Sequence, residues 1–442
     1  MDKQEAYSFF GRRRKKGNSA DQGVFEYTGR YMISLDPSNQ ESGLNALRSS
    51  AGVAAVERVR GADFMNVAEL LERPDVSVFF EDLAVAVVEV RPEQRHALVT
   101  AAEAEPSIIA AEPERVVYAM TSAGPTQART EFYPAYRSDE DVVAGQTRAE
   151  TAMAQGPAWD EQSFTWGLQA IRATESGLTG RGVRVAVLDT GVDTDHPDLV
   201  GCIEEKMSFV AGEAVEDGAG HGTHCIGIVA GPARPQQGPR YGVACDAQIL
   251  AAKVLSNAGS GFDGQILAGI AWAIARGARV ISMSLGAPVQ QGEPFPQTYE
   301  ILAQRALERG AVIVAAAGDD SQRPLSIKPV SRPANCPSIL AVAALDKSLA
   351  PSFFSNGGIN DQGGEVNIAA PGRDVHSAAP DGGYQTMNGT SMATPHVAGV
   401  LALLAEAHPD ASAADLVAGL KAGAFPLTQP TRDIGAGLLR AP

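Results

Sequence analysis

Apolar positions in this chain follow two different rhythms. Between Gly29 and Ala119 they come in short runs joined by turn residues. GRYMISL reads as a first strand, residues 42–50 as a helix, Val53 to Val59 as a second strand and NVAELLER as a short helix. Two apolar runs follow, VSVFF and LAVAVVEV, with Asp82 between them marking a hairpin turn. Pro92 opens a further helix, PEQRHALVTAAEA, at the first-turn position where its missing N–H is harmless. A last strand pair, SIIAAEP and RVVYAM, closes a small α+β unit.

From Thr121 to Gln162 the pattern dissolves into Thr, Ser, Gly, Pro, Gln and mixed charge. A linker of roughly 40 residues far exceeds an ordinary connection, which marks it as a site for cutting. Beyond it, strands and helices alternate: GVRVAVLD, then the helix HGTHCIGIVAG, then AQILAAKVL, the helix DGQILAGIAWAIARG, and ARVISMSLG. YEILAQRALERG (helix), AVIVAAAG, SILAVAALD and SMATPHVAGVLALLAEA (helix) complete the series. These strands are continuous apolar runs, as expected for parallel strands covered on both faces. The expected fold class is therefore α/β, a doubly wound mostly parallel sheet with its site at the strands' carboxyl ends, preceded by the small α+β unit.

Composition narrows the functional classes. A chain of 442 residues has room for two to four domains. With 44% hydrophobic and 20% charged residues it is neither a disordered chain nor a fibrous rod. Lys plus Arg is 36 against 52 Asp plus Glu, a formal charge of −16 that repels phosphate backbones and anionic lipid, so no nucleic-acid or membrane partner is expected. The four cysteines lack paired metal-site spacing and read as thiols. The basic cluster Arg12 to Lys16 is followed by polar residues, so no secretory signal is visible and the expected compartment is the cytoplasm.

Three segments carry candidate chemistry. Asp189 ends the strand GVRVAVLD, His221 opens a helix within GHGTH, and Ser391 lies in NGTS just before a helix. Taken singly, the Asp is a turn-former or cap, H-G-T-H a metal pair, and G-T-S a cap. Together, an acid, an imidazole and a hydroxyl are what nucleophilic acyl transfer needs: the hydroxyl attacks, the imidazole carries the proton and the carboxylate holds the imidazole. The helix N-terminus at Ser391 adds backbone N–H groups for an oxyanion. In the order Asp, His, Ser, the motifs VAVLDTGVDTDHPDL, GHGTHCIGIVAG and NGTSMATPHVAG resemble those of the subtilisin-like serine proteases, the subtilases, over about residues 163–440.

That resemblance implies a serine endopeptidase acting on polypeptides, with Asp189, His221 and Ser391 as the triad. It implies that substrate lies as an extended strand against Ser284-Leu285-Gly286 and Ala316-Ala317-Gly318. The unit at 29–119 resembles the subtilase propeptide, an intramolecular inhibitor, and self-cleavage is expected between Met120 and Thr121, with Met120, Ala119 and Val117 filling the cleft; a later cut near Trp159 is the alternative. The expected boundaries are a basic tail at 1–28, an inhibitor-like domain at 29–120, a linker at 121–162 and a catalytic domain at 163–442. A peptide ligase or macrocyclase of the same fold, or a pseudoprotease that only binds peptides, are the competing readings.

Three positions bear on the family pattern. Asp319 stands where subtilases usually carry an oxyanion-donating Asn, and an ionised Asp only accepts. Cys225 lies one turn after His221 and matches the proteinase K branch, where a thiol stands behind the histidine. Asp198 matches a common subtilase calcium-ligand position, but PARPQQGPRYG lacks the expected ligand pattern and Asn367 stands where a second site often has Asp. No metal and no cofactor is assigned; the carboxylate count allows at most weak calcium binding. His196, His224, His396 and His408 are read as structural.

Overall fold

A computed structural model describes residues 27–120 and 157–442, apart from Ala54, Ala62 and Asp75. Most of the expected basic tail and linker, Thr121 included, lies outside the described residues. The N-terminal segment runs β1 (Tyr27–Leu35), α1 (Gln40–Ala51), β2 (Ala55–Val59), α2 (Val67–Glu72), β3 (Val76–Phe80), β4 (Val85–Glu89), α3 (Arg95–Ala104) and β5 (Ile108–Ala119). β1 pairs antiparallel with β4 and β5, and β3 pairs antiparallel with β4 across the Glu81–Leu83 turn. Side chains alternate as a pleated strand requires. Ile33, Leu35, Phe79, Ala86 and Val88 pack with Leu44 and Leu47 of α1 and Leu98 of α3. The intervening Met32, Val78, Phe80, Val85 and Val87 face the rest of the molecule. Cover on both faces explains why VSVFF has no polar side and is buried throughout.

The strand pair expected at 107–120 is one strand. β5 pairs with β1 along its first half and then leaves for two further strands, so it serves two sets of partners in succession. The N-terminal layer is therefore continuous with the main body, in one seven-stranded sheet that β5 carries across.

The main body runs α4 (Trp166–Ala170), β6 (Arg184–Asp189), β7 (Ile203–Ser208), α5 (His221–Ala230), β8 (Gln248–Lys253), β9 (Ser260–Phe262), α6 (Asp263–Ala275), β10 (Val280–Met283), β11 (Leu285–Gly286) and α7 (Gln297–Glu308). It continues with β12 (Val312–Ala316), β13 (Leu340–Leu345), β14 (Ile368–Pro371), β15 (Val375–Ala379), β16 (Gly383–Met387), α8 (Thr390–Ala407), α9 (Ala413–Ala422) and α10 (Thr431–Ile434). Seven strands form a parallel sheet in the order β14-β13-β12-β10-β6-β8-β7. This is the expected α/β architecture. The edge strand β7, IEEKMS, was not apparent from apolar periodicity because its middle residues are charged and exposed, as suits an edge. α8 is buried along nearly its whole length, which fits a helix apolar on every face. Among the described residues no helix is long and apolar enough to cross a membrane.

Strand order reverses between β6 and β10, so the chain leaves their carboxyl ends in opposite directions and opens a crevice there. Asp189 is the last residue of β6, and Ser284 directly follows β10.

Two carboxylates seat the N-terminal layer on the starts of two helices. Glu112 accepts from the N–H groups of Gln297 and Thr298 at α7 (2.8 and 2.9 Å), and Glu114 accepts from Gly264 at α6 (2.9 Å). Both satisfy orphan donors and complement the helix dipoles. Burial pushes the Glu114 carboxyl up, while Arg30, 2.7 Å away, opposes that rise. A Cβ on Gly264 would lie 2.7 Å from Glu114 Oε1 and 3.2 Å from Val87. Gly264→Val should therefore loosen the layer, at a cost of about 1–3 kcal/mol. Faster amide exchange confined to β1, β4 and β5, with β6 and β12 unchanged, is the expected readout.

Candidate active site

Asp189 and His221 meet at the crevice. His221 is the first residue of α5, and its Nδ1 lies 2.7 Å from Asp189 Oδ1, with both side chains buried. The same oxygen accepts from the N–H of Thr190 at 2.7 Å. Burial alone would lower the pKa of His221, but the Asp189 carboxylate outweighs it and holds the imidazole well above its ordinary value.

The strand end and the helix start are tied together by Asp217. Its Oδ1 accepts from Thr190 Oγ1 (2.7 Å), Ala219 N (3.1 Å) and Gly220 N (2.8 Å); its Oδ2 accepts from Thr223 N (2.8 Å) and Thr223 Oγ1 (2.7 Å). Thr190 Oγ1 in turn accepts from Gly222 N at 2.9 Å. One buried carboxylate thus caps α5 and fixes it against the residue that follows Asp189. Asp217 was not singled out in the sequence, although its place in the run before GHGTH is the signal that finds it.

Ser391 sits in the first turn of α8, fully buried. Its Oγ donates to the carbonyl of Ser284 at 3.0 Å, and Ser284 Oγ donates back to the Ser391 carbonyl at 2.8 Å. His221 Nε2 is buried without a hydrogen-bond partner among the described residues. The hydroxyl is thus turned toward Ser284. Cys225 spans the two: its Sγ lies 3.9 Å from His221 Nδ1 and 3.6 Å from the Ser391 carbonyl. Burial pushes this thiol up, against the lowering effect of His221. Among the described residues, Asp189, His221 and Cys225 are the group whose ligand atoms stand close enough together to hold a metal ion, and the thiol would favour a soft one.

The end of β5 enters this crevice. Val116, Val117 and Tyr118 pair antiparallel with Phe262, Gly261 and Ser260, while Tyr118 and Ala119 pair with Gly286 and Leu285. The N–H of Met120 donates to the Ser284 carbonyl at 3.2 Å, the same oxygen that accepts from Ser391. Ser284, Leu285 and Gly286 therefore form one wall against β5. The second wall is Ser260–Phe262. The expected Ala316–Gly318 segment does not pair with β5, because β12 lies inside the parallel sheet between β10 and β13. Small residues in AAAG mark close packing there, and the edge strand was hidden in the Gly-rich turn SNAGSGF. A Cβ on Gly286 would lie 2.9 Å from Met120 Cε, so that glycine makes room for the buried Met120 side chain.

Asp319 follows Gly318, whose φ of +107° is left-handed and whose Cβ would collide with Ser331 and Asn356. Asp319 Oδ1 accepts from the N–H and the Oγ1 of Thr390, both at 2.8 Å, beside Ser391. Its carboxylate thus caps the start of α8. His224 bonds the carbonyls of Val375 and Gln385, and His396 bonds that of Met392, in keeping with structural roles. Asn367 Oδ1 accepts from Ala341 N at 2.7 Å within the sheet.

Comparison with known proteins agrees with this architecture. Residues 180–437 match the model of the subtilase family. The chain is 40% identical to subtilisin E of Bacillus subtilis (strain 168) over 253 residues, 56% of this chain and 62% of that protein. It is 39% identical to subtilisin Savinase of Lederbergia lenta over 284 residues, 63% of this chain and 98% of that protein. M-protease of Shouchella clausii (strain KSM-K16) is 40% identical over 284 residues, 63% of this chain and 69% of that protein. The matched region thus spans 62% of the length of some relatives and nearly all of another. A match to the family model over more than half of the chain, on a parallel sheet whose switch point holds the Asp189–His221 pair, makes this chain a member of the subtilase family.

Proposed function

We propose that the chain is a serine endopeptidase in which Asp189, His221 and Ser391 act as a triad and residues 29–120 act as its intramolecular inhibitor. The observation that carries this reading is the carbonyl of Ser284, which accepts both from Met120 N and from Ser391 Oγ. An extended strand of the chain's own N-terminal segment is thereby led up to the hydroxyl, and the bond after Met120 is the first it would meet. The inhibitor thus occupies the cleft as a substrate would, by strand addition.

In this mechanism His221 Nε2 takes the Ser391 proton as Oγ attacks the Met120 carbonyl carbon. The tetrahedral oxyanion collapses, the amine of residue 121 leaves with the proton from His221, and water then hydrolyses the acyl-enzyme by the same steps. Asp189 holds the imidazole and stabilises its cation. The N-terminal end of α8 supplies oxyanion stabilisation, and an ionised Asp319 detracts from it. Other polypeptides would take the place of residues 116–120 once these leave. Catalysis is assigned to residues 163–442.

Mass spectrometry of the purified chain beside Ser391→Ala tests the proposal. Fragments that meet after Met120, present in the parent and absent from the variant, support it; an intact parent that also fails to react with a fluorophosphonate overturns it in favour of a peptide-binding pseudoprotease. The orientation of Ser391 toward Ser284 is what favours that second reading.

Proton transfer requires neutral His221. Because its pKa is raised above the ordinary 6.5, kcat/KM should climb with pH through a midpoint above that value as the imidazolium is lost. Asp189→Asn removes the raising charge, so a pH–rate profile should show the midpoint lower and kcat reduced by about 10⁴-fold. Asp319→Asn keeps an acceptor for Thr390 and adds an N–H donor, and steady-state kinetics should show kcat increased by up to about 10²-fold.

A further inference from the structure

Away from the crevice, Asp198 is buried to 8% exposure on the segment that follows β6. Its carboxylate accepts from a backbone N–H and two phenols. Oδ1 accepts from the N–H of Gln236 at 2.9 Å, and Oδ2 accepts from Tyr241 Oη at 2.7 Å and Tyr384 Oη at 2.8 Å. Burial, followed by Asp198 itself, holds both phenols above their ordinary range, Tyr384 up to about 12, so both stay protonated and donating.

The rings around this carboxylate pack on one another. Tyr241 meets Tyr384 edge-on at 6.0 Å, His376 stacks on Tyr384 at 5.7 Å, and His196 meets Tyr384 edge-on at 5.6 Å. His196 accepts from Asp198 N through Nδ1 (3.1 Å), which leaves Nε2 to donate to the Gly383 carbonyl (2.9 Å). Three separate stretches of chain are joined this way: the segment after β6, the loop 232–243 and the β15–β16 hairpin. The hairpin in turn grips α5, since Ser377 Oγ donates to the His224 carbonyl at 2.8 Å.

A calcium ion needs six to eight oxygen ligands and draws its affinity from carboxylate count. The donor set here is the reverse: hydrogens point at a single carboxylate. Among the described residues Asp198 belongs to no group of three acidic, histidine or cysteine side chains able to hold a metal. The residues present therefore do not fit the cation that the family resemblance implies at this position.

We propose that the Tyr241–Asp198–Tyr384 clasp, with Gln236 N, replaces a bound cation in fastening these three segments. The phenol pair satisfies the lone pairs of the buried carboxylate and ties the loops without any ligand, so this corner of the fold holds equally well with and without calcium. The clasp is independent of the proposed proteolysis.

Thermal unfolding of the full chain carrying Ser391→Ala, which keeps autolysis out of the measurement, tests this in excess calcium and in excess chelator. Tyr384→Phe, made in that background, should lower Tm by roughly 2–5 °C, by the same amount in both conditions. Asp198→Asn should leave any calcium-dependent shift in Tm the size it has in the parent. The proposal is overturned if calcium raises the parent's Tm and Asp198→Asn abolishes that rise, or if Tyr384→Phe unfolds where the parent does. Should Asp198→Asn not fold, the Tyr384→Phe comparison decides alone.

Discussion

Strand β5 has to satisfy backbone partners in two places at once, and the arrangement of the whole molecule follows from how it does so. Its first half completes the N-terminal sheet beside β1; its second half is held between β9 and β11. A backbone left unpaired at that depth would cost more than most side-chain contacts return. The layer is therefore anchored in register, and register carries Met120 to the carbonyl beside Ser391. Glu112 and Glu114 work in the same direction, since each finds its donors at a helix start on the opposite side of the boundary.

Buried carboxylates recur at each joint of the fold, and each is met by hydrogen-bond donors. Asp217 binds the strand carrying Asp189 to the helix carrying His221. Asp319 caps the helix carrying Ser391. Asp198 gathers three loops behind α5. A buried charge is costly unless its lone pairs are taken, so each group enforces the geometry of its donors as strongly as it would destabilise without them. The residues of the proposed triad are positioned by these surroundings; among them Asp189 and His221 hold each other directly.

Much of this was legible from residue order. Continuous apolar runs located β6, β8, β10, β12 and β13, because strands covered on both faces cannot alternate. The residues Asp189, His221 and Ser391 stood out because each lies where a strand ends or a helix begins. The polar edge strand β7 and the short β9 escaped, since an edge needs no apolar signature and a three-residue strand has no period to read. Ala316–Gly318 does not pair with β5 for a related reason: small residues permit close approach by any backbone, and sequence does not say which one approaches.

What the sequence determined by itself was most of the inventory: the apolar strands and helices of the main body, and the side chains that are candidates for chemistry. Those properties arise from local periodicity and residue type, which act over a turn or a strand length. Tertiary structure alone decided pairings across distance. It made one strand of 107–120, set Ser260–Phe262 against it, pointed Ser391 at Ser284 and closed two tyrosines over Asp198. Such contacts depend on where the sheet brings remote loops together, and hydrogen-bond partners that lie far apart in the chain leave no mark in the local pattern.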